Sequence, residues 1–143
     1  MDITPYALAQ RYVGIKELSE QGKDHPLVQW WLSLCGFSMD APDEVPWCSA
    51  FVNGIAWELR LPRSKSAAAR SWLNVGVPIL RGDVEVGDVV ILSRGTNPTQ
   101  GHVAFFGGWS DTDMVQLLGG NQDNGVCVES FQIMRMLGIR RLT

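Results

Sequence analysis

The sequence predicts an α+β fold in which N-terminal helices pack on an antiparallel β-sheet. Apolar residues recur at helical spacing in the first half of the chain, and from Val77 onward the pattern changes to short apolar runs separated by turn residues. Helices followed by strands are typical of an α+β domain, since strands that alternate with helices would favour a parallel sheet.

Length and composition fit one domain over residues 1–143. The chain is 45% hydrophobic and 19% charged, which is typical of a globular protein with a real core. Its net charge of -3 is not that of a basic protein, so nucleic acid is not expected as the main partner. A local patch at Arg135, Arg140 and Arg141 leaves the binding of other anionic polymers open. The three cysteines are an odd number without a C-x-x-C pair. They predict no disulfide framework, and neither a metal nor another cofactor is expected.

The N-terminus lacks the basic start and apolar run of a signal peptide. No apolar stretch approaches the ~18 residues that a membrane span requires. We therefore expect a soluble monomer made in the cytoplasm without membrane insertion, which another protein would have to release if its target lies outside.

Cap residues mark three predicted helices in the first half of the chain. Each has a proline in its first turn, where the missing N–H leaves no partner unsatisfied, and the first helix also has Thr4 as its N-cap. His25 precedes the second helix and is interpreted as a surface or capping residue. The helices start at Pro5, Pro26 and Pro46, the second ends at Gly36 and the third at Leu61-Pro62. A shorter helix over 64–71 is expected to end near 72–74.

The second half predicts an antiparallel meander. Strands are expected within 84–92, 102–106, 114–118, 126–131 and 133–142, separated by turns rich in Gly, Asn, Asp and Pro. If residues 107–113 form a hairpin turn, His102 lies opposite Gly119.

Cys48 lies in the first turn of the third helix and is the candidate nucleophile. Unpaired N–H groups and the helix dipole favour a thiolate there, so we expect its pKa to fall well below the usual ~8.5. The alternative is a small core residue, which is how Cys35 and Cys127 are interpreted. Core packing is also the assignment for Trp30, Trp31 and Trp57.

His102 and Asn121 are the expected partners of Cys48. Side chains alternate along a strand, so Asn121 shares the face of His102 as its diagonal neighbour. His102 would accept the thiol proton, and the Asn121 oxygen would fix the imidazole, as in a thiol hydrolase. Taken singly, His102 also fits a surface histidine and Asn121 a turn residue.

An oxyanion formed in that reaction needs hydrogen-bond donors. The backbone N–H of Cys48 is one, because the first helical turn leaves it unpaired. The second is expected from the preceding loop, near Asp43, Glu44 or Trp47.

Four segments in this order resemble the papain-like CHAP and NlpC-type peptidoglycan hydrolases, especially the short single-domain proteins of bacteriophages, prophages and bacterial genomes. The segments are Pro46–Asn53, Gly87–Val90, Gly101–Phe106 and Leu118–Gln122. The resemblance implies a papain-like fold with the nucleophile at a helix N-terminus.

By motif position, the resemblance implies Cys48 as nucleophile, His102 as base and Asn121 as third member. Many CHAP domains have an acidic residue two positions before that asparagine, where this chain has Gly119. Gln122 and Asp123 are therefore substitutes for the third member. Trp47, Asp43 and Gln122 are assigned to substrate binding.

The implied activity is hydrolysis of amide bonds in the bacterial cell wall through a thioester. The enzyme would be an N-acetylmuramoyl-L-alanine amidase or a stem or cross-bridge endopeptidase. The expected setting is a phage endolysin without a separate wall-binding domain, acting in the periplasm or outside the cell. The alternative is an antibacterial amidase toxin delivered to the periplasm. A holin or an immunity protein is a candidate partner.

Two other functions compete with the hydrolase. A non-catalytic wall-binding module of the same fold would use Trp47, Trp72 and Trp109 as platforms for carbohydrate or peptide. A thiol acyltransferase would use the same three residues on another substrate. The complete Cys, His and Asn set favours the hydrolase over a silent module.

Overall fold

Helices occupy the first half of the chain and an antiparallel sheet the second in the computed structural model, which describes residues 3–18, 24–41 and 46–143. This confirms the α+β prediction. The α-helices are α1 (Pro5–Gln10), α2 (Pro26–Ser33) and α3 (Cys48–Glu58), and short 3-10 helices cover Ala69–Asn74, Arg81–Asp83 and Ile133–Arg135. The strands are β1 (Val77–Pro78), β2 (Val89–Ser93), β3 (Gly101–Trp109), β4 (Met114–Gln122), β5 (Gly125–Gln132) and β6 (Met136–Arg141).

The predicted helix caps are confirmed at α1 and α2. The Ala7 backbone N–H donates to Thr4 Oγ1 at 3.1 Å, and the Leu27 backbone N–H donates to His25 Nδ1 at 3.1 Å. The predicted start of α3 at Pro46 is wrong, because the helix begins at Cys48 itself. Cys48 therefore occupies the first helical position, where its N–H has no partner within the helix.

The sheet follows the predicted meander except at its end. Its strand order is β1-β6-β2-β3-β4-β5, and every pair is antiparallel. The prediction that the last strand continues the meander is wrong, since β6 crosses the sheet and pairs with β2. Met136 of β6 lies opposite Leu92, and Leu92 lies opposite His102.

The hairpin between β3 and β4 has a different register from the predicted one. Phe105 pairs with Leu118 and Phe106 with Leu117, so the expected pairing of His102 with Gly119 is wrong. The strand continues through the predicted turn to Trp109, and a bulge follows Phe106. The bulge contains Gly108, whose φ of 138° is a positive value that glycine adopts without strain.

Two apolar cores lie on the two faces of the sheet. The larger one joins the helices to the sheet through Trp31, Phe51, Phe105 and other buried residues. The smaller one includes Ala104 and Phe106, and the partly buried residues packed against it are Ile79, Val84, Phe131, Ile133 and Met136. The start of α3 and the start of β3 are thereby held side by side.

The tryptophan assignments are confirmed in part. Trp31 is fully buried, and Trp30 is partly buried against the larger core. The core assignment of Trp57 is wrong, since half of this residue (50%) is exposed. It follows the last buried turn of α3, beyond the part of the helix that faces the sheet. Cys35 and Cys127 are both only partly buried.

Within residues 3–18, 24–41 and 46–143, none of the helices combines the length and apolar character that a membrane crossing would require.

Candidate active site

Cys48, His102 and Gln122 line a single open cleft of about 330 Å³. They come from three different elements: the first residue of α3, the start of β3 and the end of β4. Ala67, Ala68 and Ala69 form part of the wall. The structure thus brings the predicted nucleophile and the predicted base to the same opening.

The Cys48 side chain is almost covered, with 6% of the residue exposed. Backbone hydrogen bonds from Val103 and Ser49 are directed at its sulfur. Pairing between β3 and β4 starts at Phe105, so Val103 lies where the two strands have separated. The sulfur consequently lies beside the residue that follows His102.

The expectation of an acidic Cys48 is wrong for this resting structure. Burial raises the pKa of the Cys48 thiol, because a thiolate is poorly solvated there. The hydrogen bonds from Val103 and Ser49 and the charge of Arg94 lower it, as expected at a helix start, but burial outweighs them. Cys48 therefore rests as a neutral thiol.

Gln122 fixes the orientation of the His102 imidazole. Its side chain is 2% exposed, and its Nε2 donates to the carbonyl oxygens of Cys127 at 2.8 Å and Leu117 at 3.2 Å. These two bonds turn Gln122 Oε1 towards His102 Nε2, 2.9 Å away. Since a carbonyl oxygen only accepts, Nε2 carries the proton and Nδ1 keeps a lone pair for a base.

The residue that contacts the imidazole is therefore Gln122, one of the two substitutes, and not Asn121. A register shift between Gly119 and Gln122 interrupts the pairing of β4 with β5. Asn121 has a left-handed φ of 57 at this irregularity, so the simple alternation of side chains fails. Asn121 still lines the cleft. Asp123, the other substitute, is exposed and pairs with Lys16 at 3.3 Å.

His102 is also a neutral group at rest. Although the residue keeps some exposure at the cleft, the protein atoms around its ring lower its pKa to about 4 by desolvation. The hydrogen bond with Gln122 raises this pKa, while the charges of Arg135 and Arg94 lower it further. The expected thiolate–imidazolium pair is thus not the favoured resting state.

Phe131, Arg94 and Arg135 also line the cleft, and none of them was predicted as a residue of this site. The Phe131 ring stacks on the His102 ring with centroids 5.1 Å apart. The Arg135 guanidinium lies over the Phe131 ring, 5.4 Å from its centroid. Arg135 comes to the site because β6, which follows it directly, returns to β2, while Phe131 lies on β5 and pairs with Val115 of β4. Nothing local in the sequence indicates that either residue lies near His102. Arg94 directly follows β2.

The assignment of Trp47 to substrate binding is wrong. Trp47 is fully buried, stacks on Trp31 at 5.8 Å and donates its Nε1–H to Glu17 Oε1 at 2.7 Å. Trp72 is also buried, with its Nε1–H donated to Ser49 Oγ at 2.9 Å. Neither ring can serve as a platform, whereas Trp109 is exposed.

Two residues of the predicted loop, Asp43 and Glu44, lie outside the described residues. Their predicted roles in substrate binding and as a source of the second oxyanion donor stay predictions. Gln122, also assigned to substrate binding, contacts His102 and lines the cleft, and its role in substrate binding stays a prediction. Among the described residues, no group of three or more His, Cys, Asp or Glu side chains could hold a metal ion.

Neither a scan against protein-family models nor a search of curated proteins gives a match to this chain. The likeness to the CHAP and NlpC-type hydrolases therefore stays a prediction from the motifs.

Proposed function

We propose that this chain is a papain-like cysteine hydrolase that cleaves amide bonds of bacterial peptidoglycan. One observation carries the catalytic part of the proposal. Gln122 holds His102 with Nδ1 unprotonated in the cleft that Cys48 lines. A thiol, a base of defined tautomer and a buried orienting amide are the parts that nucleophilic attack on a carbonyl requires.

The neutral resting groups define the first step. As the Cys48 sulfur attacks the amide carbon, His102 Nδ1 accepts the thiol proton, so no separated charges have to be solvated beforehand. The carbonyl oxygen becomes an oxyanion, and the Cys48 backbone N–H, free at the first helical position, donates to it. Gln122 Oε1 accepts a hydrogen bond from the other nitrogen of the imidazolium that forms.

The second half of the reaction reverses the proton transfer. The His102 imidazolium gives its proton to the leaving amine, and the C–N bond breaks to leave a thioester on Cys48. His102 then accepts a proton from water, which attacks the thioester and releases the carboxylic acid. As the C–S bond breaks, His102 passes this proton to the Cys48 sulfur, which restores the free thiol.

The substrate class follows from the motif resemblance and not from the cleft alone. Peptidoglycan offers two kinds of amide bond to such an enzyme: the bond between the lactyl group and the first alanine, and those of the stem and cross-bridge peptides. We propose a phage endolysin as the biological setting, and a toxin delivered to the periplasm as the alternative.

Digestion of purified sacculi tests the proposal. The wild-type chain should release soluble fragments with new amino groups, and Cys48→Ala should release none while keeping its circular dichroism spectrum. Cys35→Ala is the matched control, because this partly buried cysteine lies outside the cleft, and it should retain activity. Equal release by wild type and Cys48→Ala would refute a cysteine mechanism.

A further inference from the structure

Two arginines stand beside the reactive groups of the cleft, and the mechanism above does not use them. Arg94 and Arg135 both line the cleft, and the positive charges of both act on His102. Arg94 also acts on the Cys48 sulfur, which places its charge near the nucleophile and the base together.

The two guanidinium groups have hydrogen-bonding capacity to spare. Arg135 is fixed by one bond, from its Nε to the Ser93 carbonyl oxygen at 3.1 Å, and by its position over the Phe131 ring. Its two terminal nitrogens make no hydrogen bond within the described part of the chain. The exposed Arg94 guanidinium makes neither a hydrogen bond nor an ion pair with the residues that the structure describes.

Two acidic residues share the cleft with the arginines. Asp123 and Glu129 also line the cleft, but their charges act on Cys127 and not on His102 or Cys48. Asp123 is in addition paired with Lys16. Within the described residues, neither carboxylate forms an ion pair with Arg94 or Arg135.

We propose that Arg94 and Arg135 form a carboxylate-binding subsite, so that the preferred substrates are acidic peptides with a carboxylate close to the amide that is cut. This inference rests on the proposed function for the cleavage step, but the subsite itself does not depend on it. Guanidinium groups suit the task, because they bind a carboxylate in a planar, two-pronged geometry.

Binding of such a carboxylate would also help the base. The positive charges of Arg135 and Arg94 lower the pKa of His102, and a bound anion would offset them. The imidazole would then accept the thiol proton more readily. An acidic substrate would thus improve both its own binding and the proton transfer.

Alkylation of Cys48 tests the subsite without any wall substrate. Iodoacetate and iodoacetamide react in the same way: the sulfur forms a bond to the CH₂ carbon, iodide leaves with its electron pair, and the thiol proton passes to the solvent. They differ in that iodoacetate carries a carboxylate. The measured quantity is the ratio of their rate constants at Cys48, obtained by peptide mapping, relative to the same ratio for N-acetylcysteine.

We expect the ratio at Cys48 to exceed that of N-acetylcysteine by about tenfold, as a charge-assisted contact would give. Arg94→Gln should bring it down to the value of the free thiol, and Arg94→Lys should keep part of the preference. Arg81→Gln, at an exposed arginine outside the cleft, is the matched control and should change nothing. A wild-type ratio equal to that of N-acetylcysteine, or one unaffected by Arg94→Gln, would overturn the proposal.

A pair of muropeptides that differ only by a carboxylate or a carboxamide in the stem peptide tests the specificity. The wild type should cut the carboxylate form with a kcat/KM about tenfold higher, and Arg94→Gln should remove the difference. Equal cleavage of both forms would overturn the specificity inference and leave the proposed function intact. No cleavage of either form, together with a preference for iodoacetate, would refute the proposed function and support the subsite.

Discussion

A Cβ atom on Gly119 would lie 2.6 Å from Gln122 Oε1, the atom that accepts the hydrogen bond from His102. The Gln122 side chain folds back into space that any side chain at position 119 would fill. Position 119 is also the position at which many CHAP domains have an acidic residue. Because glycine has no side chain, position 119 leaves open the space that the Gln122 amide occupies.

Gly119→Ala should therefore displace the Gln122 amide. The backbone of Gly119 is not left-handed, so the conflict is with the Gln122 side chain and with Ala104 Cβ, 2.7 Å from the added atom. We expect activity to fall at least about tenfold and the free energy of unfolding to fall by about 1–3 kcal/mol. Hydrolysis assays and urea unfolding measure the two effects. Gly82→Ala, whose Cβ would meet nothing within 4 Å, should leave both unchanged. Wild-type activity in Gly119→Ala would contradict this account.

Gln122 and Asn121 can be separated by their effects on the imidazole. Gln122→Ala removes the acceptor for His102 Nε2–H, so we expect a loss of about ten- to a hundredfold in kcat/KM. Nitrogen NMR of His102 should show that its proton no longer resides on Nε2 alone. Asn121→Gly suits the left-handed φ at that position and should keep near wild-type activity. The reverse pattern of losses would restore Asn121 as the orienting residue.

The pH dependence of Cys48 alkylation reports its resting protonation state. Because burial raises the Cys48 pKa, the rate with iodoacetamide should climb by about tenfold per pH unit through the neutral range and still be rising at pH 8. His102→Ala should leave this slope in place. A rate that is level between pH 5 and 8 would mean that a thiolate–imidazolium pair already exists, as the sequence alone suggested.

His102 should also make the stability of the fold depend on pH. Its pKa is about 4 in the folded chain against 6.5 for the ordinary side chain, so the unfolded state binds the proton more tightly. The stabilising contribution is complete above the unfolded pKa and is lost as the pH falls towards 4. Between pH 7 and pH 4.5 the loss should reach about 2 kcal/mol. Urea unfolding at both pH values measures it.

The comparison variant for that measurement is His102→Gln, which does not titrate. Carboxylates contribute to acid destabilisation in both proteins, so the difference between the two pH profiles isolates His102. If both proteins lose the same stability between pH 7 and pH 4.5, the imidazole is not held in its neutral form by the fold.

Local features of the fold were predictable because their causes are local. Thr4 and His25 cap helices next to prolines. Cys48 is the first residue of α3, and residues 48–56 of that helix are all buried. Turn residues likewise separate β2 to β5 in the expected order. Each of these depends on neighbours within a few positions in the chain.

The sequence predictions that were wrong concern features that depend on pairing between distant strands, on one irregular residue or on the depth of burial. Arg135 comes to the site with the return of β6 to β2, and Phe131 reaches His102 from β5. No periodicity in the sequence encodes either placement. Because the strand is irregular at Asn121, the side chain that lies beside the imidazole is that of Gln122 and not that of Asn121. The sign of the Cys48 pKa shift depends on how deeply the thiol is covered, which a helix start alone does not determine.

Mass spectrometry of one defined muropeptide tests the central claim most directly. After incubation with the wild-type chain, we predict two fragments whose masses together equal that of the substrate plus one water. Cys48→Ala and His102→Ala should leave the muropeptide intact, and Cys35→Ala should cut it at the same bond. An intact muropeptide after incubation with wild type, or the same fragments from Cys48→Ala, would contradict the assignment of Cys48 as the nucleophile of a wall hydrolase.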